Sequence, residues 1–427
     1  MGKINRCERK IKYLILGAGV SGLSFANNVR NQDYLILEKN SEPGGYCRST
    51  VRGDYVWDYA GHFFHFSRPD LKKRFREVLQ SDDIVYRQKN TKIFYNGQYV
   101  DYPFQKNIHQ LEKQEMIECL CDLFEKHEKE NYDSFLDMLY GKFGVSITEK
   151  FLKPYNEKLY ACNLNLLDVE AMGRFFPYAN LSEIIQNMRK SNNDSYNNDF
   201  LYPKEGAAVF VRHLLNGLNP DLVHLGEEVR SIDIDQKTVV TESNTYHYDY
   251  LISSLPLNCF IRLIGKENLL EEHPLSFNQV LVLNLGFDKP SIDRDIHWIY
   301  IPSPDTNFYR AGFYNNIIGS EKLSMYIEIG YGMEEIITSE IIEQQLEQTL
   351  DNLHRLGIIQ DHKLVDWQAL VMSPAYVHIT KDSNQFVKQL MNELSEHQIY
   401  TIGRYGQWKY CSIEDCMVDA AEVSKRI

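Results

Sequence analysis

Tyr13-Leu14-Ile15-Leu16-Gly17-Ala18-Gly19-Val20-Ser21-Gly22, and then Tyr34-Leu35-Ile36-Leu37-Glu38, decide the fold of this chain. Each apolar run has the length and the aliphatic content of a buried strand. The glycines between them follow Gly-x-Gly-x-x-Gly, and Glu38 stands 21 residues after Gly17. Strand, glycine turn, helix, strand and acid, in that order, make the dinucleotide-binding βαβ unit. Gly17 permits the tight turn out of the strand. Gly19 has no Cβ, so backbone can approach a pyrophosphate, and Gly22 lets the helix pack close to the strand. The N–H groups at the helix start offer phosphates hydrogen bonds and a positive dipole end. Glu38 is placed to accept from a ribose hydroxyl. A glycine-rich turn alone is a weak signal; the two flanking strands and the acid give it weight.

The residues after Glu38 bear on which dinucleotide is held. Pro43-Gly44-Gly45 follows the acid, then Arg48-Ser49 and Asp58-Tyr59-Ala60-Gly61-His62. Taken alone, Gly44-Gly45 is also consistent with an ordinary turn. In this position the pair lets backbone approach a second stretch of ligand, which nicotinamide dehydrogenases do not usually need. The arrangement resembles the FAD-containing superfamily of amine oxidases, protoporphyrinogen oxidases and UDP-sugar mutases. The expected cofactor is therefore FAD.

At 427 residues the chain is long enough for two or three domains. No apolar run reaches the roughly 18 residues of a membrane span, and Met1 to Lys12 is polar and charged. The expectation is a cytoplasmic protein without a membrane span. Cys119 and Cys121 are too close together for a zinc knuckle, and Cys411 and Cys416 lack paired histidines. The eight cysteines read as reduced thiols, with neither a disulfide framework nor a metal site. Net charge is 46 − 59 = −13, which argues against nucleic acid as a partner. An anionic small substrate then requires arginines gathered locally.

The pattern predicts an α/β protein with a discontinuous, Rossmann-like FAD-binding domain, from residues 1–90, 203–272 and 380–427. A mainly helical insertion is expected over 103–202, in which the residues from about Asn107 to Lys158 are rich in Leu, Glu, Lys and Phe at helical spacing. An antiparallel sheet substrate domain is expected from 91–102 and 273–379. Thr91 to Tyr102 reads as a hairpin turning on Asn96-Gly97. Ser191 to Asp199 reads as a polar loop, and Ala207 to Pro256 as alternating strands. Gln279 to Phe287, His297 to Ile301 and Lys322 to Ile329 alternate apolar and polar residues, as strands with one face open to ligand do. Ile399 to Gly403 reads as a last strand, with a helix from about Ile413.

Gly403-Arg404-Tyr405-Gly406-Gln407-Trp408-Lys409-Tyr410 lies between that strand and that helix, at the sheet edge where cofactor and substrate meet. Here the chain resembles the UDP-galactopyranose mutases, closer to the eukaryotic type than to the common bacterial type. Trp298, Tyr300, Arg310 and Tyr376 agree with that family in order and spacing. So do Tyr102-Pro103-Phe104-Gln105, Pro154-Tyr155-Asn156 and Ala60-Gly61-His62. The similarity runs from the first strand to about Ala421. Lys153 stands where the family usually has Arg, and the segment His62 to Arg68 is only loosely like the family's mobile histidine loop.

The resemblance implies that Arg310 and Arg404 neutralise a pyrophosphate, a task suited to bidentate guanidinium groups. Trp298 and the tyrosines 300, 376 and 410 join them, Tyr102 flanks a uracil, and Gln105 bonds its edge. It implies Arg310, Arg404 and His62 as catalytic residues, with His62 over the flavin ring. Gly17, Gly19, Gly22, Glu38, Gly44, Gly45, Arg48, Gly61, His62, Val229, Gly403, Asp415, Cys416 and Met417 are implied to hold FAD. Reduced FAD would interconvert UDP-galactopyranose and UDP-galactofuranose through an adduct between flavin N5 and the sugar, with NAD(P)H a candidate reductant. No Ser-His-Asp or Cys-His arrangement competes with this reading. Two others stand beside it: an oxidase of an amine or porphyrin-like ring, and a non-catalytic flavoprotein that binds a partner. The oligomeric state is left open.

Overall fold

Tyr13 to Leu16 are fully buried, because the strand Glu8–Leu16 (β1) is covered on both faces. Tyr13 and Ile15 join one core, with Leu23, Phe25 and Ala26 of helix Val20–Asn28 (α1) and Met417, Ala420 and Val423 of helix Ile413–Arg426. Leu14 and Leu16 join the other, with Leu257 and Phe260 of helix Leu257–Leu263 and Leu390 and Leu394 of helix Lys381–Glu396. Two-sided burial is what a parallel strand in a doubly wound sheet needs. In the computed structural model β1 pairs in parallel with strand Tyr34–Glu38 (β2) and with strand Thr245–Ser253. Strands Val223–Leu225 and Ile399–Thr401 extend the parallel sheet, and Val229–Asp233 with Thr238–Thr241 adds an antiparallel pair. The structure describes residues 8–78, 83–193 and 198–427. The first residues, Met1 to Cys7, and part of the polar loop expected at Ser191 to Asp199 lie outside them.

Among the described residues a second sheet has seven strands. Five are Asn278–Phe287, Trp298–Tyr300, Arg310–Phe313, Ser324–Gly332 and Leu364–Met372; the hairpin Thr91–Tyr95 and Gln98–Asp101 completes it. Only the pairing of Trp298–Tyr300 with Thr91–Tyr95 is parallel. The hairpin turns on Asn96 and Gly97, with φ of +47° and +80°, a left-handed pair that Asn-Gly adopts at low cost.

This sheet is more enclosed than its alternating sequence suggests. Strand Asn278–Phe287 is buried along nearly its whole length. Leu281, Leu283 and Leu285 pack with Leu353 of helix Ser339–Arg355, while Val280 and Val282 pack with Tyr55 and Trp57. Both faces are covered because a helix lies on one side and the strand Tyr55–Asp58 on the other. Partial exposure survives at Tyr300, Arg310 and Tyr376, which mark the margin where this sheet faces the first.

Between the two sheets in sequence run helices Lys113–Glu125, Phe135–Ile147, Lys153–Tyr160 and Leu181–Arg189. Strand Asp199–Pro203 follows and pairs with Ile84–Gln88. Where the sequence reading places alternating strands from Ala207, the structure first has helix Ala208–Asn216. Its buried residues Phe210, Val211 and Leu214 have helical spacing, masked in the sequence by the β-prone pair Val209 and Val211. Among the described residues no helix is long and apolar enough to cross a membrane, and no cluster of His, Cys, Asp and Glu could hold a metal ion.

Candidate functional site

The three glycines of the first turn are constrained in different ways. Gly17 has φ +96°, and a Cβ on Gly22 would lie 2.0 Å from the carbonyl oxygen of Gly17. Gly19 has an ordinary extended φ of −78°, and a Cβ there would meet nothing within 4 Å. Helix α1 starts at that open space without a side-chain cap or an acid in its first turn. Its first buried N–H groups therefore suit an anion brought from outside. Gly44 donates its N–H to the Ala18 carbonyl at 2.8 Å, so the Gly44-Gly45 pair lies against this turn. Glu38 Oε2 accepts from Ala18 N–H at 2.9 Å and Oε1 from Asn40 N–H at 2.9 Å, which hold the carboxylate at the end of β2. These features fit a dinucleotide.

The remaining proposed cofactor residues come from several segments. Arg48 donates from Nε to the Gly45 carbonyl at 2.8 Å and lies over the Tyr59 ring. A Cβ on Gly61 would strike the Tyr326 hydroxyl at 2.6 Å, and one on Gly403, whose φ is +77°, would strike Ser21 Oγ. Met417 is buried against α1, and Cys416 Sγ lies 3.7 Å from the ideal Cβ position of Gly403. The Asp415 carboxylate serves the helix itself: it accepts from Ser412 N–H and pairs with Arg174. Val229 sits at the sheet edge opposite Thr241.

His62 Nδ1 is buried without a hydrogen-bond partner among the described residues. Burial first, then the charges of Arg404 and Arg310, push its imidazole down to about 4. The ring is therefore neutral at neutral pH.

The two arginines differ in their surroundings. Arg310 Nε donates to Glu328 Oε1 at 2.9 Å, and Nη2 also bonds that carboxylate. Glu328 is 1% exposed and also accepts from the Tyr309 hydroxyl at 2.6 Å. The charge of Arg310 is thus already balanced. Arg404 has no carboxylate within ion-pair distance among the described residues, and its buried Nε has no partner. Its guanidinium carbon lies 4.6 Å from the ring centre of Tyr410, 5.0 Å from that of Tyr376 and 5.9 Å from that of Tyr405. Aromatic faces attract the cation but do not neutralise it.

Tyr300, Tyr376 and Tyr410 differ in their surroundings. Tyr376 and Tyr410 are stacked, 5.9 Å between centroids. Tyr300 accepts from Trp298 Nε1 at 3.0 Å, which leaves its own proton to donate. Trp298 is almost wholly buried against Phe63 and so acts from behind Tyr300. Burial raises the hydroxyls of Tyr300 and Tyr376 above their ordinary range, and both remain donors. Tyr102 packs on Tyr300, with Lys89 Nζ over its ring at 4.9 Å. Gln105 is fully buried; its amide bonds the Pro177 carbonyl, and its Oε1 has no partner. Lys153 is paired with Glu149 one helical turn earlier.

Sequence reading missed Glu328. Its one signal was a carboxylate in the otherwise apolar and aromatic run Ser324–Gly332. The sequence alone assigns Asp58 no task. It is fully buried, accepts from Ser49 Oγ, Tyr202 Oη and Ala207 N, and is pushed by burial up to about 6. It ties the 49–58 hairpin to the start of helix Ala208–Asn216.

Gly19→Val is expected to give a folded but colourless protein, since the side chain fills only the open space at the helix start. Circular dichroism and the flavin absorbance of the purified variant check it; full flavin content in Gly19→Val would overturn the assignment of this turn.

Solved structures of the same fold include a reduced UDP-galactopyranose mutase, at 22% identity and TM-score 0.90 over 97% of this chain and 95% of that chain. A provisionally assigned protoporphyrinogen oxidase from Exiguobacterium sp. matches at 14% identity and TM-score 0.76, over 98% of each chain. A conjugated-linoleic-acid-producing fatty acid isomerase from P. acnes matches at 12% identity and TM-score 0.66, again over 98% of each. The model of the flavin containing amine oxidoreductase family matches residues 20–427. With its uncapped phosphate-type turn and its two covered sheets, this chain belongs to the family of flavin containing amine oxidoreductases.

Proposed function

We propose that this flavoenzyme is a mutase of a nucleotide diphosphate-sugar, with UDP-galactopyranose and UDP-galactofuranose the first pair to test. The observation that carries the reading is the uncompensated guanidinium of Arg404, a half-buried side chain whose Nε is shut off from water without a partner among the described residues. A buried cation without a counterion is costly, and a pyrophosphate would relieve that cost with charge-assisted bonds. A cationic amine would be repelled, and an apolar ring would leave the charge unpaired.

In this reading Arg404 holds the pyrophosphate, and Tyr300, Tyr376 and Tyr410 donate to its remaining oxygens. Arg310, fixed by Glu328, offers the N–H groups that the carboxylate does not use. Tyr102 flanks the base, and the unpartnered Gln105 Oε1 accepts from its edge. When bound and reduced, the flavin supplies the electron pair for the sugar. The protein's part is to keep the released nucleotide in place, so that recombination stays effectively unimolecular. No side chain is required as a nucleophile, and neutral His62 can only hydrogen-bond.

The net reaction is an isomerisation. Dithionite-reduced protein should therefore convert UDP-galactofuranose, read by chromatography, with no stoichiometric use of reductant. Steady consumption of oxygen or NAD(P)H with substrate would point instead to an oxidase.

A further inference from the structure

Two thiols take no chemical part in this reaction, although the resemblance counts one of them, Cys416, among the residues that hold FAD. Ser412 is the N-cap of helix Ile413–Arg426: its Oγ accepts from Asp415 N–H at 3.2 Å, and Asp415 Oδ2 accepts from Ser412 N–H at 2.8 Å. In such a cap the residue before the N-cap faces the fourth residue of the helix, commonly as an apolar staple. Here those two residues are Cys411 and Cys416, and their Sγ atoms are 3.8 Å apart. A disulfide of about 2.05 Å needs the sulfurs to approach by roughly 1.8 Å (3.8 − 2.05).

The two sulfurs are unlike. Cys411 is buried and Cys416 is partly exposed. The contact with Cys411, and then the Ser21 hydroxyl and the Arg404 backbone N–H, hold the Cys416 thiol below its ordinary range. The contact with Cys416, then burial, raises Cys411 well above its own. The partly exposed Cys416 is thus the sulfur that an oxidant reaches first, with the buried Cys411 sulfur 3.8 Å away to meet it.

We propose that Cys411 and Cys416 form a redox-active pair that a peroxide closes to an intramolecular disulfide. The Cys416 thiolate attacks one oxygen of hydrogen peroxide. The O–O bond breaks, hydroxide leaves and becomes water on taking a proton, and Cys416 is left as a sulfenic acid. The Cys411 sulfur then attacks Cys416 Sγ and displaces the second oxygen, which leaves as water with the Cys411 proton. Two thiols lose two electrons in all, and one peroxide becomes two waters. The new bond staples the first turn of the helix that lies against Gly403 and Ser21. This inference goes beyond the nucleotide-sugar reading and does not depend on it.

The test uses purified flavin-loaded protein, treated with hydrogen peroxide, denatured, alkylated with N-ethylmaleimide and mapped by peptide mass. Expected are loss of two hydrogens across Cys411 and Cys416, no alkylation of either, and recovery of both thiols with dithiothreitol. Cys411→Ser should instead leave a sulfenic acid on Cys416 that dimedone traps. Alkylation of both thiols after peroxide, oxidation of one alone to sulfinic acid, or a disulfide from either to Cys47 would overturn the proposal. If Cys411→Ser does not fold, the wild-type peptide masses decide the matter unaided.

Discussion

Arg404→Ala is expected to weaken UDP binding by tenfold or more while flavin content stays at the wild-type level. Each charge-assisted contact in a desolvated site is worth roughly 1.5–3 kcal/mol, and about 1.4 kcal/mol is tenfold in affinity. Arg404 has no carboxylate to leave behind among the described residues, so the loss should appear in binding and not in folding. Arg404→Lys should recover only part of the affinity, because the planar fork is gone. Calorimetric titration of UDP into the flavin-loaded variants measures this. Unchanged affinity in Arg404→Ala would send the search to substrates without phosphate.

Arg310→Ala should behave differently, with its main cost in stability. Removing one partner of a buried ion pair costs about 3–5 kcal/mol, because the other charge stays buried. Here that charge is Glu328, which keeps only the Tyr309 hydroxyl of its two side-chain partners. Adding Glu328→Gln to Arg310→Ala should restore much of the loss, since the amide carries no charge. Urea unfolding of the single and double variants at equal flavin loading gives the coupling. Equal midpoints for wild type and Arg310→Ala would show that the pair does not hold this strand margin together.

Sequence spacing treats Arg310 and Arg404 alike, as two guanidinium groups near one pyrophosphate. In the folded chain one has a buried carboxylate beside it and the other has only aromatic rings. The expected results separate accordingly into stability for Arg310 and affinity for Arg404.

What the chain's sequence determined by itself is local. The βαβ unit was legible because buried parallel strands are continuous apolar runs and because Gly17 and Gly22 answer steric demands within a few residues. The Asn96-Gly97 hairpin was legible because its turn depends on two φ angles alone. Tertiary structure decided the rest. Glu328 meets Arg310 because antiparallel pairing sets those two residues opposite one another, and no period within either strand announces that register. Both faces of strand Asn278–Phe287 are buried because a helix and a hairpin remote in sequence cover them. His62 stays neutral because burial and two distant arginines act on it together. Charge balance and burial are sums over neighbours, and the neighbours of Arg404, His62 and Arg310 come from segments as much as 342 residues apart (404 − 62), which only the folded chain brings together.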